Sequence, residues 1–430
     1  STEKFIQSSE AGMSEIHVFT SAAFNYIPKV RMLFQSIRKY HPEWTIHLAL
    51  ADEKRPEIDL SNEPFDEVVS VSELDIPDWK GWAYCHTIVE LATAIKPFML
   101  ARLLQLPGCK KVIYLDPDTV IFSRLDDILE ALDSANVVLT PHQTKPETSL
   151  SAVMDNEICS LKHGVYNLGF CAVAATDVGL SFAKWWGERI YHFCRADIPN
   201  GLFTDQRWID LVPAFFNDVA IMRSSRHNVA TWNLTTRDFT VDEKGNYFVD
   251  GEPLGFYHFT GFDSGAHRIM ASKNAGDNSD VHKLIDWYDD QTKNLAQDPL
   301  AKVVWAYGLH SDGSAISKAQ RLVYRERIDL QKAFPTPFDA NTYNQWWLQQ
   351  GPKEYPELFD NSSKDDALRQ FSTVLTPGFR GGNAEFDKDR FIGIVKRSLS
   401  NPRTGVTMGK KGWEVLKNEG IKGIKRRFLN

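Results

Sequence analysis

The segment 111–122, KVIYLDPDTVIF, carries the strongest strand pattern in the chain. β-branched and aromatic residues fill both of its halves, and such runs are typical of strands in the interior of a sheet. Asp116 and Asp118 stand between the two halves. Residues i and i+2 of an extended chain point to the same side, so we expect the two carboxylates to converge. Converging carboxylates are suited to bind a hard divalent cation, whereas a solvated Asp-Pro-Asp turn is the alternative interpretation.

Strand and helix patterns alternate on both sides of this segment. Short β-rich runs and helical periodicities follow one another at 16–20, 28–40, 45–51, 67–71 and 87–106. Pro97 lies inside the last helical pattern and must kink or interrupt it. The alternation predicts a mainly parallel sheet covered by helices, in which ligands bind beyond the carboxyl ends of the strands. Asp116 and Asp118 come directly after such an end.

Length and composition indicate a globular protein with more than one part. The chain has 430 residues, of which 43% are hydrophobic and 24% charged, and these values exclude disordered and fibrous classes for most of it. Strand patterns become scarce after about residue 275, where helical patterns alternate with Pro/Gly-rich loops. We therefore expect a catalytic domain at 14–275, a helical accessory region at 276–408 and a basic tail at 409–430.

The net charge of -7 excludes a uniformly basic nucleic-acid-binding protein, but it is unevenly distributed. The tail 409–430, GKKGWEVLKNEGIKGIKRRFLN, has seven basic and two acidic residues. Trp413, Leu416, Ile421, Ile424 and Phe428 recur in it at helical spacing. A basic amphipathic helix with aromatic residues on its apolar side is typical of segments that lie on anionic membranes. A C-terminal helix packed on the domain and a disordered basic end are the alternatives.

The cysteines and the hydropathy pattern indicate the compartment. Five cysteines are unevenly spaced and form no C-x-x-C, which favours reduced thiols of an intracellular protein over a disulfide framework or a zinc site. No run of 18 apolar residues is present, so we expect no membrane-spanning helix. The sequence therefore predicts a cytoplasmic protein that associates peripherally with the inner face of the plasma membrane through its tail.

Four further segments accompany the D-x-D motif in a definite order. They are FTS (19–21) with Asn25-Tyr26, YNLGF (166–170), FTDQ (203–206) and YHFTG (257–261). The ordered set resembles the GT-A fold glycosyltransferases, which transfer a sugar from a nucleotide-sugar to an acceptor, and is most similar to the retaining family 8 group. The resemblance implies an α/β fold, with a single Rossmann-like mixed sheet and flanking helices. A mainly helical C-terminal extension would follow it.

The resemblance also implies which residues bind the metal and the nucleotide. Asp116, Asp118 and His258 would bind the cation. An imidazole beside two carboxylates favours Mn²⁺, with Mg²⁺ as the alternative. Before the resemblance is considered, a lone His in an aromatic run is more often a buried core residue than a ligand. Thr20, Ser21 and Asn25 would receive the nucleotide.

The donor sugar would be bound by the later motifs. Asn167 would grip sugar hydroxyls, and Gly169 would allow close approach; a strand with a glycine bulge is the alternative for this pair. Asp205 would hold a donor hydroxyl, with Gln206 near the anomeric carbon. For Asp205 the structural alternative is a helix N-cap, a role that Thr204 could also fill.

One departure from the family 8 pattern concerns the donor phosphates. A Lys-Pro-Trp follows H-x-x-G in that pattern, and its Lys binds a phosphate, whereas this chain continues with Phe262-Asp263-Ser264. The replacement would be one of the basic residues Lys96, Arg102, Arg268 and Lys273. For Lys96 the alternative is an ordinary surface lysine. Because of this departure we expect a neighbouring bacterial family rather than family 8 itself.

These observations predict a metal-dependent hexosyltransferase of surface polysaccharide synthesis. The donor would be a nucleotide-sugar, most simply a UDP-sugar, and the acceptor a glycan or lipid-linked glycan, with retention of configuration. A sugar-nucleotide pyrophosphorylase is one alternative, but the loop 20–30, TSAAFNYIPKV, lacks the Gly-rich basic signature that this class needs. A non-catalytic glycan-binding module is the other, and the intact D-x-D and His258 count against it.

Overall fold

The structure, a computed structural model, describes residues 14–372, 395–396, 399–400 and 402–424. The chain forms two compact units. The first extends to Trp79 and resumes over Ile88–Gly308, and the second combines Lys80–Thr87 with the residues from Leu309 onward. The sequence-based domain boundaries at 275 and 408 concern independent folding and stay predictions.

Fourteen short strands are present in the described residues, all in the first unit. In chain order they are β1 Ile16–Ala22, β2 Thr45–Leu50, β3 Glu67–Ser70, β4 Lys111–Leu115, β5 Thr119–Ile121, β6 Val137–Leu139, β7 Phe170–Ala174, β8 Arg195–Asp197, β9 Leu202–Thr204, β10 Val219–Ile221, β11 Phe239–Val241, β12 Tyr247–Val249, β13 Glu252–Pro253 and β14 Phe256–His258. Seven of them form one sheet in the order β10-β6-β7-β4-β1-β2-β3.

This central sheet is parallel except for β7, which runs antiparallel to both β4 and β6. Its strands are apolar and mostly buried, as expected for a sheet with helices on both faces. Because β7 runs opposite to β4, its first residue Phe170 pairs with the last residue of β4, Leu115. The loop before β7 therefore lies at the same edge of the sheet as the end of β4.

The α-helices connect the strands of the first unit and continue through the second unit. They are α1 Ile27–Tyr40, α2 Trp79–Tyr84, α3 Ile88–Ala94, α4 Lys96–Leu104, α5 Asp126–Ala131, α6 Leu150–Ala152, α7 Ile158–His163, α8 Asp177–Phe193, α9 Val212–Phe215, α10 Ala266–Ala275, α11 Ser279–Thr292, α12 Lys318–Glu326, α13 Ile328–Ala333, α14 Tyr343–Glu354, α15 Lys364–Ser372 and α16 Pro402–Ile424. The predicted interruption of the 87–106 helix is confirmed, since α3 ends at Ala94 and Pro97 lies in the first turn of α4.

The segment 111–122 differs from its prediction, because it forms two strands instead of one. β4 belongs to the central sheet, whereas β5 pairs antiparallel with β14. Between them the chain turns, and the Thr119 N–H donates to the Asp116 carbonyl at 3.1 Å. Pro117 has no N–H for a sheet ladder and favours a turn. The prediction that an extended chain brings the two carboxylates together was therefore wrong, since a turn does so.

The pairing of β5 with β14 brings a distant part of the chain to this turn. Its register places His258 opposite Thr119. Behind β14, the Phe259 ring stacks on Tyr288 of α11 with centroids 3.8 Å apart. α11 lies beyond residue 275 and packs in the same apolar cluster as Tyr257 and Phe259. Residues of the first unit after 275 thus support the strand that carries His258.

The second unit is mainly helical, as predicted. Its core contains the aromatic residues Tyr84, Tyr324, Tyr343, Trp347 and Phe371. In α16 the backbone leaves helical geometry at Gly420. Trp413 and Ile421 of this helix are 69% and 70% exposed.

Part of the predicted tail, residues 425–430 with Phe428, lies outside the described residues. In the part of the chain that the structure describes, we find no helix with the length and apolarity needed to cross a membrane.

The candidate donor and metal site

A cleft of about 650 Å³ opens at the carboxyl ends of β1 and β4. The edge reached by the end of β4 and the start of β7 is the place where α/β sheets bind ligands. Ten of the eleven residues singled out from the sequence line the cleft: Ser21, Asn25, Lys96, Asp116, Asp118, Asn167, Gly169, Asp205, Gln206 and His258. Thr20 is the exception, because it is fully buried in β1 and does not reach the cleft surface.

Asp116, Asp118 and His258 come together at the β4–β5 turn. One ligand atom from each lies within 4.8 Å of the other two. The His258 Nε2 is 2.8 Å from Asp118 Oδ1 and 3.4 Å from Asp116 Oδ2. The Tyr114 hydroxyl donates to Asp116 Oδ1 at 2.6 Å and so holds that carboxylate in place. Two oxygens and one imidazole nitrogen at this spacing fit a divalent cation.

Each member of this cluster shifts the pKa of its neighbour. Burial acts against the charged form of His258, but the Asp118 carboxylate outweighs it and raises the pKa of His258 above 6.5. Burial likewise opposes ionisation of Asp118, and the His258 imidazolium outweighs it and lowers the pKa of Asp118 below 3.8. Without a cation the two groups therefore form an ion pair, in which the proton on His258 Nε2 takes the place of the metal.

A second cluster lies beside the first and is built on Lys96. The buried Lys96 Nζ is 3.2 Å from Asp205 Oδ2 and 3.4 Å from Asp116 Oδ1, so the surface-lysine alternative is wrong. Burial alone would lower the pKa of Lys96, but the two carboxylates raise it. Burial also raises the pKa of Asp205, and the Lys96 ammonium opposes that effect. Lys96 thus links the turn that carries Asp116 and Asp118 to the D-Q motif through one charge.

Neither the Asp205 nor the Gln206 side chain caps the helix that follows, although Gln206 stands at its N-cap position. The following 3-10 helix, Arg207–Leu211, begins without a side-chain cap, so the N-cap alternative for Asp205 is wrong. The Gln206 Nε2 donates to the His163 carbonyl at 2.9 Å. Gln206 Oε1 accepts from the Leu168 N–H at 3.1 Å. Both residues line the cleft, and hydrogen bonds to two backbone groups hold the Gln206 carboxamide in place.

Gly169 is required by its neighbours in the site. A Cβ built on it would lie 2.6 Å from Cε1 of His258 and 2.7 Å from Oδ1 of Asn167. Contacts this short do not occur, so any side chain at 169 would displace the imidazole. The glycine thus allows the close approach of His258, whereas the sequence suggested close approach of the donor.

Sequence reasoning missed two residues that line the cleft, His142 and Trp232, and one buried lysine close to it, Lys29, which does not line the cleft itself. Lys29 of α1 is buried, and its Nζ lies 2.7 Å from Asp263 Oδ1, close enough to Asp118 to contribute to the lowering of its pKa. His142 and Trp232 line the cleft, and the Trp232 ring meets His258 edge-on at 5.6 Å. A lysine among the apolar residues of α1 was the signal for Lys29, whereas neither His142 nor Trp232 was expected to have a role in the site.

The other proposed cations are engaged elsewhere. Arg102 donates to the Glu73 carbonyl, Arg268 pairs with Asp286 and Lys273 pairs with Asp155. None of the three lines the cleft. Of the four lysines and arginines considered from the sequence, only Lys96 reaches it.

Comparison with known proteins agrees with this geometry. Residues 17–177 match the family model for glycosyl transferase family 8. This chain is a glycosyltransferase related to family 8. The matched range contains Asp116, Asp118 and Asn167, whereas Asp205, Gln206 and His258 lie beyond it. The predicted GT-A fold, with its single mixed sheet and helical extension, is confirmed. The prediction of a neighbouring family depends on the segment after His258 and stays a prediction.

Two curated relatives come from Bacillus subtilis (strain 168). The uncharacterized protein YfnD is 25% identical over 256 residues, which are 58% of this chain and 79% of YfnD. The uncharacterized protein YfnF is 28% identical over 182 residues, or 42% of this chain and 56% of YfnF. The matched part of this chain thus covers only about half of the length of YfnF.

The solved structures that it resembles are more distant. The galactosyltransferase LgtC, in complex with donor and acceptor sugar analogs, has a TM-score of 0.35 and 16% identity, covering 60% of this chain and 96% of LgtC. The glycosyltransferase GlyE of Streptococcus pneumoniae TIGR4 has a TM-score of 0.34 and 14% identity, covering 78% of this chain and 64% of GlyE. Likenesses this weak add nothing to the assignment, which depends on the family match and the strand order.

The ion pair at His258 predicts how cation affinity depends on pH. The pairing of protonated His258 with Asp118 contributes fully to stability below the ordinary pKa of 6.5, and this contribution is lost as the pH rises through the raised pKa of His258. Asp118 contributes above its ordinary 3.8, and that contribution is lost only as the pH falls through the lowered pKa. A cation must displace the His258 proton, so we expect affinity to rise with pH up to the raised pKa of His258 and to level off above it.

Calorimetric titration with MnCl₂ alone, in buffers of different ionisation enthalpy, measures both the affinity and the proton released. A dissociation constant that stays the same from about pH 6 to about pH 8.5, with no proton release, would contradict the assignment of His258 as a ligand.

Proposed function

We propose that this glycosyltransferase transfers a hexose from a UDP-sugar to a glycan or lipid-linked glycan acceptor in surface polysaccharide synthesis, with retention of configuration. One observation carries the proposal. The Asp116, Asp118 and His258 cluster lies in the same cleft as the Lys96–Asp205 pair, and Asp116 contacts both groups. A cation site next to a charged, buried polar pocket is the arrangement that binding a diphosphate and its attached sugar needs.

The cation at this site is proposed to be Mn²⁺. The O, O and N ligands favour manganese over magnesium, which prefers oxygen alone. When bound, the ion would neutralise the diphosphate as the bond to the sugar breaks. Tyr114 fixes one oxygen of Asp116 by its short hydrogen bond and so leaves the other directed toward His258.

Asp205, Lys96 and Gln206 are proposed to position the donor sugar. Asp205 is buried beside Lys96, so a sugar hydroxyl that donates to its carboxylate would form a charge-assisted hydrogen bond in a low-dielectric site. Gln206 Oε1 already accepts two hydrogen bonds, from the Leu168 N–H and from Asn167 Nδ2. Its oxygen is therefore a positioned dipole rather than a free nucleophile. This supports attack of the acceptor hydroxyl from the leaving-group face, with the departing phosphate as base.

Replacing Asp118 tests the proposed reaction. D118A removes one ligand and leaves the His258 proton without its partner. We expect Mn²⁺-dependent release of nucleotide from a UDP-sugar to fall by about 100-fold or more, the usual cost of losing a charge-stabilising group. The matched control is D126A, because Asp126 is half exposed and pairs with Arg124 outside the cleft. Full activity in D118A, or an equal loss in D126A, would refute the metal role.

Lys29 is proposed to supply the phosphate-binding cation that the departure after His258 removes. Its partner Asp263 is a largely exposed carboxylate in the segment that follows H-x-x-G, so a donor phosphate could replace it as the partner of Lys29. Lys29 also contributes to the electrostatic environment of Asp118. The ammonium thus contacts the segment after H-x-x-G and acts electrostatically on the D-x-D motif.

K29M keeps the length of the side chain and removes its charge. We expect the KM for the donor to rise by about tenfold or more, because a hydrogen bond to a charged group is lost, while the thermal transition of the free enzyme changes little. K39M is the matched control, since Lys39 is an exposed residue of the same helix. An unchanged KM in K29M would leave Lys29 as a structural partner of Asp263 only.

The C-terminal helix is proposed to hold the enzyme at an anionic lipid surface. Trp413 and Ile421 are exposed, and Lys410, Lys411 and Lys417 lie on the same helix.

Each basic residue close to such a surface contributes about 1 kcal/mol, so reversing two charges in K410E/K411E should weaken binding to phosphatidylserine vesicles by at least about tenfold. Vesicle co-sedimentation measures this, with neutral phosphatidylcholine vesicles as control. Equal sedimentation of the wild type and the K410E/K411E variant with both kinds of vesicle would exclude the membrane role.

A further inference from the structure

The carboxamide of Asn167 is fully engaged by protein groups. Its Oδ1 accepts from the Gly169 N–H at 3.1 Å and from His258 Nδ1 at 3.2 Å. Its Nδ2 donates to Gln206 Oε1 at 3.2 Å and to His142 Nε2 at 3.3 Å. A primary amide has two donor hydrogens and two acceptor positions, and all four are used here. Asn167 therefore has no polar group left for a sugar hydroxyl.

The N–H groups of Gly169 and Leu168 determine the orientation of the Asn167 and Gln206 carboxamides. An N–H can only donate, so the atom of Asn167 that faces the Gly169 N–H must be oxygen. In the same way the Leu168 N–H requires oxygen at the facing atom of Gln206. Both amides are then consistent with each other, because Asn167 Nδ2 faces Gln206 Oε1.

His142 completes the network on the other side of Asn167. Its Nδ1 lies 3.2 Å from the Val165 carbonyl, which can only accept, so this nitrogen carries a hydrogen. Burial lowers the pKa of His142 to about 4, and the ring is neutral at pH 7. Its Nε2 is therefore a lone pair, which matches the Nδ2 hydrogen of Asn167.

The same reasoning determines the tautomer of His258. Its Nδ1 faces Asn167 Oδ1, an acceptor, and must carry a hydrogen. The Nε2 faces Asp118 and Asp116 and is the nitrogen left to bind a cation once its proton has gone. Outer groups that fix a ligating imidazole in this way commonly change metal affinity when they are removed.

We propose that Asn167 and His142 form a positioning relay, from the Val165 carbonyl to His258 Nδ1, which keeps Nε2 of His258 free for the cation. Asn167 is then a positioning residue of the metal site and does not grip sugar hydroxyls. The inference rests on the proposed function for its consequence, metal binding, but the tautomer of His258 can be measured without any metal or substrate.

The first experiment measures that tautomer directly. Nitrogen-15 NMR of the histidine-labelled, metal-free enzyme above the pKa of His258 should show hydrogen on Nδ1 and a lone pair on Nε2, with H258A used only to assign the signal. Hydrogen on Nε2 in the wild type would overturn the relay, even if the enzyme binds Mn²⁺ and is active.

The second experiment measures Mn²⁺ affinity by calorimetry without nucleotide. N167L should weaken it by about 10- to 100-fold, and H142L should weaken it in the same direction. H142Q should restore affinity, because its amide oxygen can again accept from Asn167. The matched control is N246L, in the exposed turn between β11 and β12. Thermal unfolding of each variant in EDTA shows whether it is folded, and if N167L is not, the H142L and H142Q pair decides.

The outcomes separate this relay from the proposed function. Wild-type Mn²⁺ affinity in N167L, together with a raised KM for the donor, would overturn the relay and restore the sugar-binding role. No Mn²⁺ binding by the wild type, with hydrogen on His258 Nδ1, would overturn the proposed function and leave the tautomer assignment correct.

Discussion

Three carboxylates in one cleft are the constraint on which the rest of the site depends. Asp116, Asp118 and Asp205 are brought close together in a region largely screened from water, where like charges repel strongly. Each is balanced by a cation or a proton: His258 pairs with Asp118, and Lys96 lies between Asp116 and Asp205. The proposed cation would add one further positive charge to this balance.

Backbone connectivity creates this concentration of charge. The chain leaves the central sheet after β4, turns at Pro117 and re-enters a separate ladder at β5, and the partner strand β14 delivers His258 to the turn. The antiparallel β7 places Asn167 at the same edge, since its start lies beside the end of β4. A sheet of purely parallel strands would have put that loop at the opposite end.

Much of the site could be predicted from residue order, and the limits of that prediction are physical. Asp116 and Asp118 are only two residues apart in sequence, so their local pattern carried the information. Lys29 could not be assigned, because its partner Asp263 is more than 200 residues away and no local pattern joins them. The expectation that Asn167 binds a sugar stays a prediction, since a sequence shows that an amide is present but not which protein groups its four hydrogen-bonding positions contact.

The sequence by itself determined the fold class, the order of the motifs and the residue types at the candidate metal site, because strand periodicity and turn chemistry act over a few neighbours. Only the tertiary structure decided which groups neutralise the carboxylates, which face of His258 meets them and that Gly169 makes room for its ring. These depend on distances between segments far apart in the chain. Hydrogen bonds and ion pairs weaken over fractions of an ångström, and only packing sets separations that finely.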